Sequence, residues 1–100
     1  MNKAFFLDRD GVIDEMVFDE ENGSTHIPRQ SSEVILAPHI SDLLKTTKKL
    51  GYLNVIISNQ PDIGLRRITK TGFEEIGKVI NEKLQREGAI IDKAYYCFHH

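Results

Sequence analysis

Residues 5–13 read Phe-Phe-Leu-Asp-Arg-Asp-Gly-Val-Ile, and this stretch decides the fold. It continues a short, nearly continuous apolar run over 3–7 and ends in polar residues and a glycine. Such a run predicts a strand that is buried on both faces of a sheet. Because residues i and i+2 of an extended segment point the same way, we expect Asp8 and Asp10 to face one cavity.

Two further strands and two helices are predicted downstream. Helical spacing of Ile40, Leu43, Leu44 and Leu50 predicts a helix that stops before Gly51. The β-branched run over 53–57 predicts a second strand, directly followed by Ser58-Asn59-Gln60-Pro61.

The second helix is predicted from the apolar positions Phe73, Ile76, Ile80 and Leu84, and it should end before Gly88. Its start has two candidates, a capping box that begins at Thr71 and an N-cap at Thr69. A short third strand is predicted over 94–96.

This order of elements predicts an α/β fold with a parallel sheet, because two strand-helix-strand units follow each other. The length of 100 residues allows one domain, 1–100, with a polar, loop-like insertion at about 14–33.

Composition excludes several classes of function. Thirteen Lys and Arg against fifteen Asp and Glu give a net charge of −2, which predicts no general affinity for nucleic acid. With tyrosine left out of the apolar set, the longest apolar runs, 4–7 and 34–37, are four residues each and too short to span a membrane. With one cysteine and no signal-peptide core, we expect a soluble cytoplasmic protein. The sequence does not predict its oligomeric state.

The polar residues after the first two strands predict a phosphoryl-transfer site, since ligands of open α/β sheets bind beyond the carboxyl ends of the strands. Two neighbouring carboxylates repel each other unless a cation or proton lies between them, and Mg²⁺ is the natural cation for a hard oxygen site. One of Asp8 and Asp10 would attack phosphorus and the other would transfer protons. Ser58 and Asn59 would donate hydrogen bonds to the phosphoryl oxygens. The alternative is that Asp-x-Asp-Gly is only a turn.

The stretch over 5–13 resembles the first motif of the haloacid dehalogenase (HAD) superfamily of phosphohydrolases, and residues 55–60 resemble its second motif. The residues of these motifs resemble those of one branch, the D-glycero-D-manno-heptose 1,7-bisphosphate 7-phosphatases and the related histidinol-phosphatase domains. Three features carry this finer match, namely Asp-Arg-Asp-Gly at 8–11, Asn-Gln at 59–60 and Tyr-Tyr-Cys-x-His-His at 95–100.

The resemblance implies a Rossmann-like three-layer α/β sandwich, incomplete here, in which Asp8 is the nucleophile and a Mg²⁺ ligand. Asp10 would be the general acid/base and would offer its backbone carbonyl to the metal. Ser58 and Asn59 would bind the transferring phosphoryl group. Arg29, in the insertion, would meet a second phosphate or carboxylate of the substrate, unless it is a surface residue.

The resemblance also implies a zinc-binding loop that begins with Cys97 and His99. Two ligands do not hold a structural zinc, so the alternative is a free thiol with flanking histidines. Where the family has Arg and then Gly, this sequence has Leu65 and then Arg66, so Arg66 would reach the substrate from the neighbouring position. The third-motif Lys and the acidic fourth motif of the family have no counterpart in this sequence, which is therefore expected to be an N-terminal portion.

The leading hypothesis is a Mg²⁺-dependent phosphatase of a small phosphorylated metabolite, such as a heptose bisphosphate or histidinol phosphate, that works through an aspartyl-phosphate. One alternative is a catalytically incomplete domain that binds phosphate, metal or a protein partner. Another is a protein that stays phosphorylated on Asp8.

Overall fold

The computed structural model describes residues 3–60 and 68–97. In chain order the elements are the strands β1 (Lys3–Leu7), β2 (Val17–Asp19) and β3 (Ser24–His26), a 3₁₀ turn (Ser31–Glu33), the helix α1 (Ile40–Lys49), the strand β4 (Tyr52–Asn59), the helix α2 (Lys70–Arg86) and the strand β5 (Lys93–Cys97).

The central sheet is parallel and has the order β1-β4-β5, as the sequence predicts for an α/β fold. The bounds of β1 agree with the prediction, whereas β4 and β5 extend one or two residues beyond the predicted strands. Leu7 lies opposite Ile56, so the carboxyl ends of β1 and β4 are neighbours. The residues that follow the two strands are thereby brought to one edge of the sheet.

Both helices pack on the same face of the sheet. One apolar cluster contains Leu7 and Ile56 of the sheet together with buried residues of both helices. These helical residues are Ile40 and Leu44 of α1, and Phe73, Ile76, Ile80 and Leu84 of α2. All four apolar positions predicted for the second helix are therefore confirmed as core.

The opposite face of the sheet is uncovered over the described residues. Phe6 is 60% exposed, Ile57 54% and Tyr95 56%. Phe6 pairs with Val55, and Ile57, two residues further along β4, pairs with Tyr95, so the three side chains share this face. The prediction that the first strand is buried on both faces is wrong for this part of the chain.

Two details of the helices also correct the predictions. Leu43 and Leu50 are 43% and 63% exposed, whereas the buried positions of α1 are Ile40, Ser41, Leu44 and Thr47. Helix α2 begins after Thr69, whose hydroxyl accepts the N–H of Gly72 at 3.0 Å. The capping box at Thr71 is therefore wrong, and the competing N-cap is confirmed.

The segment 14–33 is more ordered than the predicted loop. Strands β2 and β3 pair in antiparallel fashion, with Asp19 opposite Ser24 and the turn over 20–23 between them. Among the described residues, no helix has the length and apolar character needed to cross a membrane.

Candidate active site

The candidate site lies at the carboxyl ends of β1 and β4. Asp8 follows directly after β1 and is exposed, while its Oδ1 accepts the backbone N–H of Arg9 at 2.7 Å. Ser58 is buried and Asn59 exposed, and both are the last residues of β4 rather than residues beyond it. The sequence thus placed these three side chains at the correct edge of the sheet.

A tight turn follows Asp8 and shapes the site. The carbonyl of Arg9 accepts the N–H groups of Val12, Ile13 and Asp14 at 3.2, 2.7 and 3.2 Å, and Gly11 donates to the Asp14 carbonyl at 2.8 Å. Gly11 has φ +86°, a left-handed conformation that disfavours other residues. This glycine therefore permits the sharp turn after Asp8.

A buried hydrogen-bond network joins Asp10 to Ser58. The side-chain amide of Gln60 donates to Asp10 Oδ2 at 2.8 Å and lies 2.8 Å from Ser58 Oγ. Gln60 is 1% exposed and Ser58 4% exposed. The two motifs are thus connected through one side chain. Gln60 was part of the quoted second motif, but no role had been predicted for it.

Arg9 is a second residue whose role the sequence did not indicate. Its side chain is buried and forms an ion pair with Asp10, with Nε 3.2 Å from Oδ1 and Nη2 3.2 Å from Oδ2. The guanidinium lies over the ring of Phe73 at 4.3 Å from the centroid. Arginine side chains are mostly exposed in folded proteins, so the sequence alone predicts an exposed Arg9.

A third carboxyl, that of Asp14, lies buried beside Asp10. Burial, followed by the hydrogen bond with Asp10 and its charge, raises the pKa of Asp14 to about 8, although the Arg9 guanidinium acts in the opposite direction. The protonated form therefore dominates at pH 7. Burial also raises the pKa of Tyr96, against the effect of Arg9. Among residues 3–60 and 68–97, the site thus places the buried Arg9 guanidinium beside the carboxyls of Asp10 and Asp14.

Arg29 lines a separate cleft of about 430 Å³, together with His26, Asn22 and Met16. Met16 connects this cleft to the site, because its Cγ lies 3.7 Å from where a Cβ of Gly11 would be. Arg29 is exposed, and its backbone N–H donates to Glu33 Oε1 at 2.8 Å. The cleft formed by the β2–β3 segment therefore adjoins the turn after Asp8.

Two of the predicted site residues, Arg66 and His99, lie outside the described residues. Cys97 is described as an exposed free thiol at the end of β5, and its carbonyl accepts the N–H of Gln60 at 2.5 Å. Within residues 3–60 and 68–97, no three His, Cys, Asp or Glu side chains group as a metal site. This part of the chain gives zinc no support.

The oxygen donors at the turn after Asp8 fit magnesium better than zinc. The Asp8 carboxylate and the Asp10 backbone carbonyl are hard oxygen donors at the same turn, and the Asp8 side chain is exposed. Mg²⁺ is commonly held through one or two carboxylates and takes its other ligands from water and phosphate. It therefore does not need three acidic side chains from the described residues.

Comparison with known proteins gives relatives over nearly the whole chain, although no protein-family model matches it. A probable D-glycero-D-manno-heptose-1,7-bisphosphate 7-phosphatase from Thermoplasma volcanium is 33% identical over 97 residues, which are 97% of this chain and 61% of that protein. The D-glycero-beta-D-manno-heptose-1,7-bisphosphate 7-phosphatase of Helicobacter pylori strain J99 is 36% identical over 99 residues, or 98% of this chain and 52% of that protein. The chain spans about half the length of the curated relatives it matches.

Solved structures show the same fold. One is a D,D-heptose 1,7-bisphosphate phosphatase from B. bronchiseptica, complexed with magnesium and phosphate. It superposes on this chain with a TM-score of 0.80 at 20% sequence identity, and the match covers 98% of this chain and 51% of the B. bronchiseptica chain. A HAD-like phosphatase from Mesorhizobium loti has a TM-score of 0.83 at 27% identity, over 99% of this chain and 44% of its own. Together with the parallel α/β sheet, these matches show that the chain has the fold of the HAD-like phosphatases, and its sequence is similar to heptose-bisphosphate phosphatases over nearly its whole length.

Proposed function

We propose that the complete protein is a Mg²⁺-dependent phosphomonoester hydrolase whose substrate is a small phosphorylated sugar, with a heptose bisphosphate as the first candidate. The observation that carries the proposal is the network in which Gln60 joins Asp10 to Ser58 beside the exposed carboxylate of Asp8. It supports the proposal because it brings together, at one edge of the sheet, the side chains that would serve as nucleophile, proton-transfer group and phosphoryl-binding hydroxyl. The names of the curated relatives support the sugar bisphosphate as substrate.

The proposed chemistry has two balanced steps. An oxygen of the Asp8 carboxylate attacks phosphorus while the bond to the leaving oxygen breaks, and Asp10 gives that oxygen a proton. Asp10 then takes a proton from water, which attacks the phosphoryl group on Asp8 and releases phosphate. Ser58 and Asn59 hold the phosphoryl oxygens as their charge changes. Mg²⁺, bound by Asp8 and the Asp10 carbonyl, would offset the negative charge of the phosphoryl group.

Arg29 is the residue proposed to determine substrate specificity. The cleft beside the Gly11 turn is lined by this cation, by Asp19 and by uncharged polar side chains, and the cation would meet a second anionic group of the substrate there. Arg29→Ala should therefore raise KM for a bisphosphate at least about 10-fold, but leave KM for the monophosphate nearly unchanged. Arg66 is proposed for the same second group.

The central test is Asp8→Asn in the complete gene product, assayed by phosphate release from a panel that includes heptose bisphosphate and histidinol phosphate. We expect a loss of at least about 1,000-fold, since the amide is a poor nucleophile. Asp42→Asn is the matched control, because Asp42 lies on α1 with its side chain 77% exposed. Retained turnover in Asp8→Asn would sink the nucleophile assignment.

Asp10→Asn separates proton transfer from binding. We expect turnover to fall about 100- to 10,000-fold, while binding of Mg²⁺ and phosphate is partly kept because the backbone carbonyl of Asp10 remains. Binding without any turnover in the wild-type protein would favour the alternative of a catalytically incomplete domain. A stable phosphoryl group on Asp8 would favour the phosphoprotein alternative.

Zinc is a separate part of the proposal. Cys97 and His99 would supply two ligands of a tetrahedral site, and the rest would have to come from elsewhere. Elemental analysis of the complete gene product tests this directly, and Cys97→Ser should remove any bound zinc. Zinc at less than one-tenth of the protein concentration would contradict the assignment.

A further inference from the structure

We propose that Arg9 is a positioning residue for proton transfer, because its buried guanidinium fixes the carboxylate of Asp10 beside Ser58. The inference rests on the proposed phosphatase activity and adds to it a residue that acts through Asp10. It is carried by the burial of Arg9, the geometry of its ion pair and the aromatic rings that enclose it.

Burial is the first step of the argument. The side chain of Arg9 is 1% exposed and that of Asp10 is 6% exposed. A guanidinium removed from water is tolerated only where a partner and hydrogen bonds replace its hydration. Asp10 is that partner, with Asp14 as a second carboxyl nearby. Arg9 therefore has a defined place inside the protein, unlike a surface arginine that samples many conformations.

The geometry of the ion pair is the second step. Nε and Nη2 of Arg9 approach the two different oxygens of Asp10, both at 3.2 Å. A planar guanidinium that contacts both oxygens fixes the plane of the carboxylate as well as its position. Gln60 adds a third donor at Oδ2 and lies within hydrogen-bond distance of Ser58. The orientation of Asp10 relative to the phosphoryl-binding residue is thereby set.

Two aromatic rings complete the enclosure of Arg9. The guanidinium carbon lies 4.3 Å from the centroid of Phe73 and 5.5 Å from that of Tyr96. The rings themselves meet edge to face, with centroids 4.9 Å apart and planes at 87°. Phe73 belongs to α2 and Tyr96 to β5, so the fold restrains Arg9 from two sides. Lysine would keep the charge but would lose both the fork and the stacking surface.

A fixed orientation matters for an acid/base residue. Each carboxyl oxygen has two lone pairs, so Arg9 and Gln60 leave a position on Asp10 that can carry the proton given to the leaving oxygen of the substrate. Misplacement of a reacting group by about 1 Å can cost about 100-fold in rate. Arg9 should therefore affect turnover much more than substrate binding, whereas a purely structural residue would change turnover only through the amount of folded protein.

The kinetic test compares Arg9→Lys with Arg86→Lys in the complete gene product. Arg86 is an exposed arginine in the last turn of α2, so it controls for the chemical change. For Arg9→Lys we expect kcat to fall about 10- to 100-fold with KM within about threefold of wild type, per molecule that circular dichroism shows to be folded. A kcat within twofold of wild type, or an effect confined to KM, would overturn the role.

An NMR measurement on the wild-type protein tests the ion pair without any need for activity or for a folded variant. The Nε–H proton of Arg9 should exchange slowly and remain visible at pH 8, unlike the exposed Nε–H of Arg86. Asp10→Asn should shift the Arg9 signal and speed up its exchange. A fast-exchanging Arg9 Nε–H in the wild-type protein would show that the enclosed ion pair does not exist.

The two measurements separate failure of this inference from failure of the proposed function. An intact, slowly exchanging Arg9 in a protein that hydrolyses no phosphomonoester would refute the phosphatase, and with it the role of Arg9 in turnover. An active phosphatase with a fast-exchanging Arg9 would refute the inference alone. An active enzyme with a protected Arg9 and a kcat loss in Arg9→Lys would support both.

Discussion

The side chain of Asn54, at the start of β4, makes a set of buried hydrogen bonds whose removal should be costly. Its Nδ2 donates to the carbonyls of Leu44 and Ile90, both at 3.0 Å, and its Oδ1 accepts the hydroxyl of Thr47 at 2.5 Å. Asn54 is 0% exposed. The side chain thereby joins α1 to the segment before β5, and the substitution Asn54→Leu removes all three bonds while keeping the branched shape of the side chain.

The magnitude follows from these contacts. Each hydrogen bond contributes about 0.5–1.5 kcal/mol net, and a buried group left without a partner costs about 1–3 kcal/mol. Thr47 retains the carbonyl of Leu44 as an acceptor at 3.0 Å, so its hydroxyl is not stranded. The carbonyl of Ile90 has no such compensation from these groups. We therefore expect Asn54→Leu to lower the free energy of unfolding by about 3 kcal/mol, a large share of the roughly 5–15 kcal/mol of a typical domain.

Urea unfolding of the complete gene product, followed by circular dichroism at 25 °C, measures this loss. With a slope of about 1–3 kcal/mol per molar urea, the midpoint should fall by about 1–3 M. The control is Asn81→Leu, since Asn81 is exposed on α2 and should shift the free energy by no more than about 0.5 kcal/mol. Equal midpoints for the Asn54 variant and this control would refute the reasoning.

The other predictions concern α2 and the buried carboxyl. Gly77→Ala should stabilise the protein by about 0.5–1 kcal/mol in thermal unfolding, because alanine favours the helix and its Cβ would lie 3.9 Å from Arg9 Nη1, an ordinary contact. Gly72→Ala should stabilise the protein less than Gly77→Ala, or destabilise it, because the added Cβ would lie 3.1 Å from the capping oxygen of Thr69. An equal gain in stability from the two substitutions would contradict this. Asp14 has its pKa raised to about 8, so its contribution to stability is complete below pH 4 and is lost as the pH rises towards 8. In EDTA, Asp14→Asn should therefore show a smaller fall in unfolding free energy from pH 4 to 8 than wild type, and parallel curves would count against the shift.

Periodicity predicted the elements that pack against one another in the core. The bounds of β1 and the buried face of α2 are confirmed, since both depend on apolar residues whose burial dominates local structure. The N-cap at Thr69 was one of two candidates. It prevails because Ile68 before it and Phe73 four residues after it both join the core, which fixes where the chain enters the helix. A capping pattern in the sequence does not show which neighbouring residues will pack in the core.

The buried polar residues were the main failure of prediction from sequence. Arg9 lies between two aspartates in the sequence, and arginine and aspartate are both ordinarily exposed, so neither Arg9 nor Asp14 is expected to be buried. The burial of Arg9 depends on Phe73 and Tyr96, which come from α2 and β5, more than sixty residues away along the chain. The hairpin of β2 and β3 was missed for a different reason, because its three-residue strands are too short to show an alternating pattern.

The polar networks around Asn54 and around Asp10 lie towards opposite ends of β4, and this separation makes their effects independent. Asn54 and Ser58 are four residues apart on one strand, which corresponds to about 13 Å. Val55 and Ile56 between them are buried. Substitutions at sites more than about 7–10 Å apart without shared partners are usually additive. Combining Asn54→Leu with Arg9→Lys should therefore add their losses in unfolding free energy within about 0.5 kcal/mol, while the kcat of the folded double variant should equal that of Arg9→Lys alone. Strong coupling between them would mean that the catalytic geometry depends on the amino end of the sheet, contrary to the local network seen around Asp10.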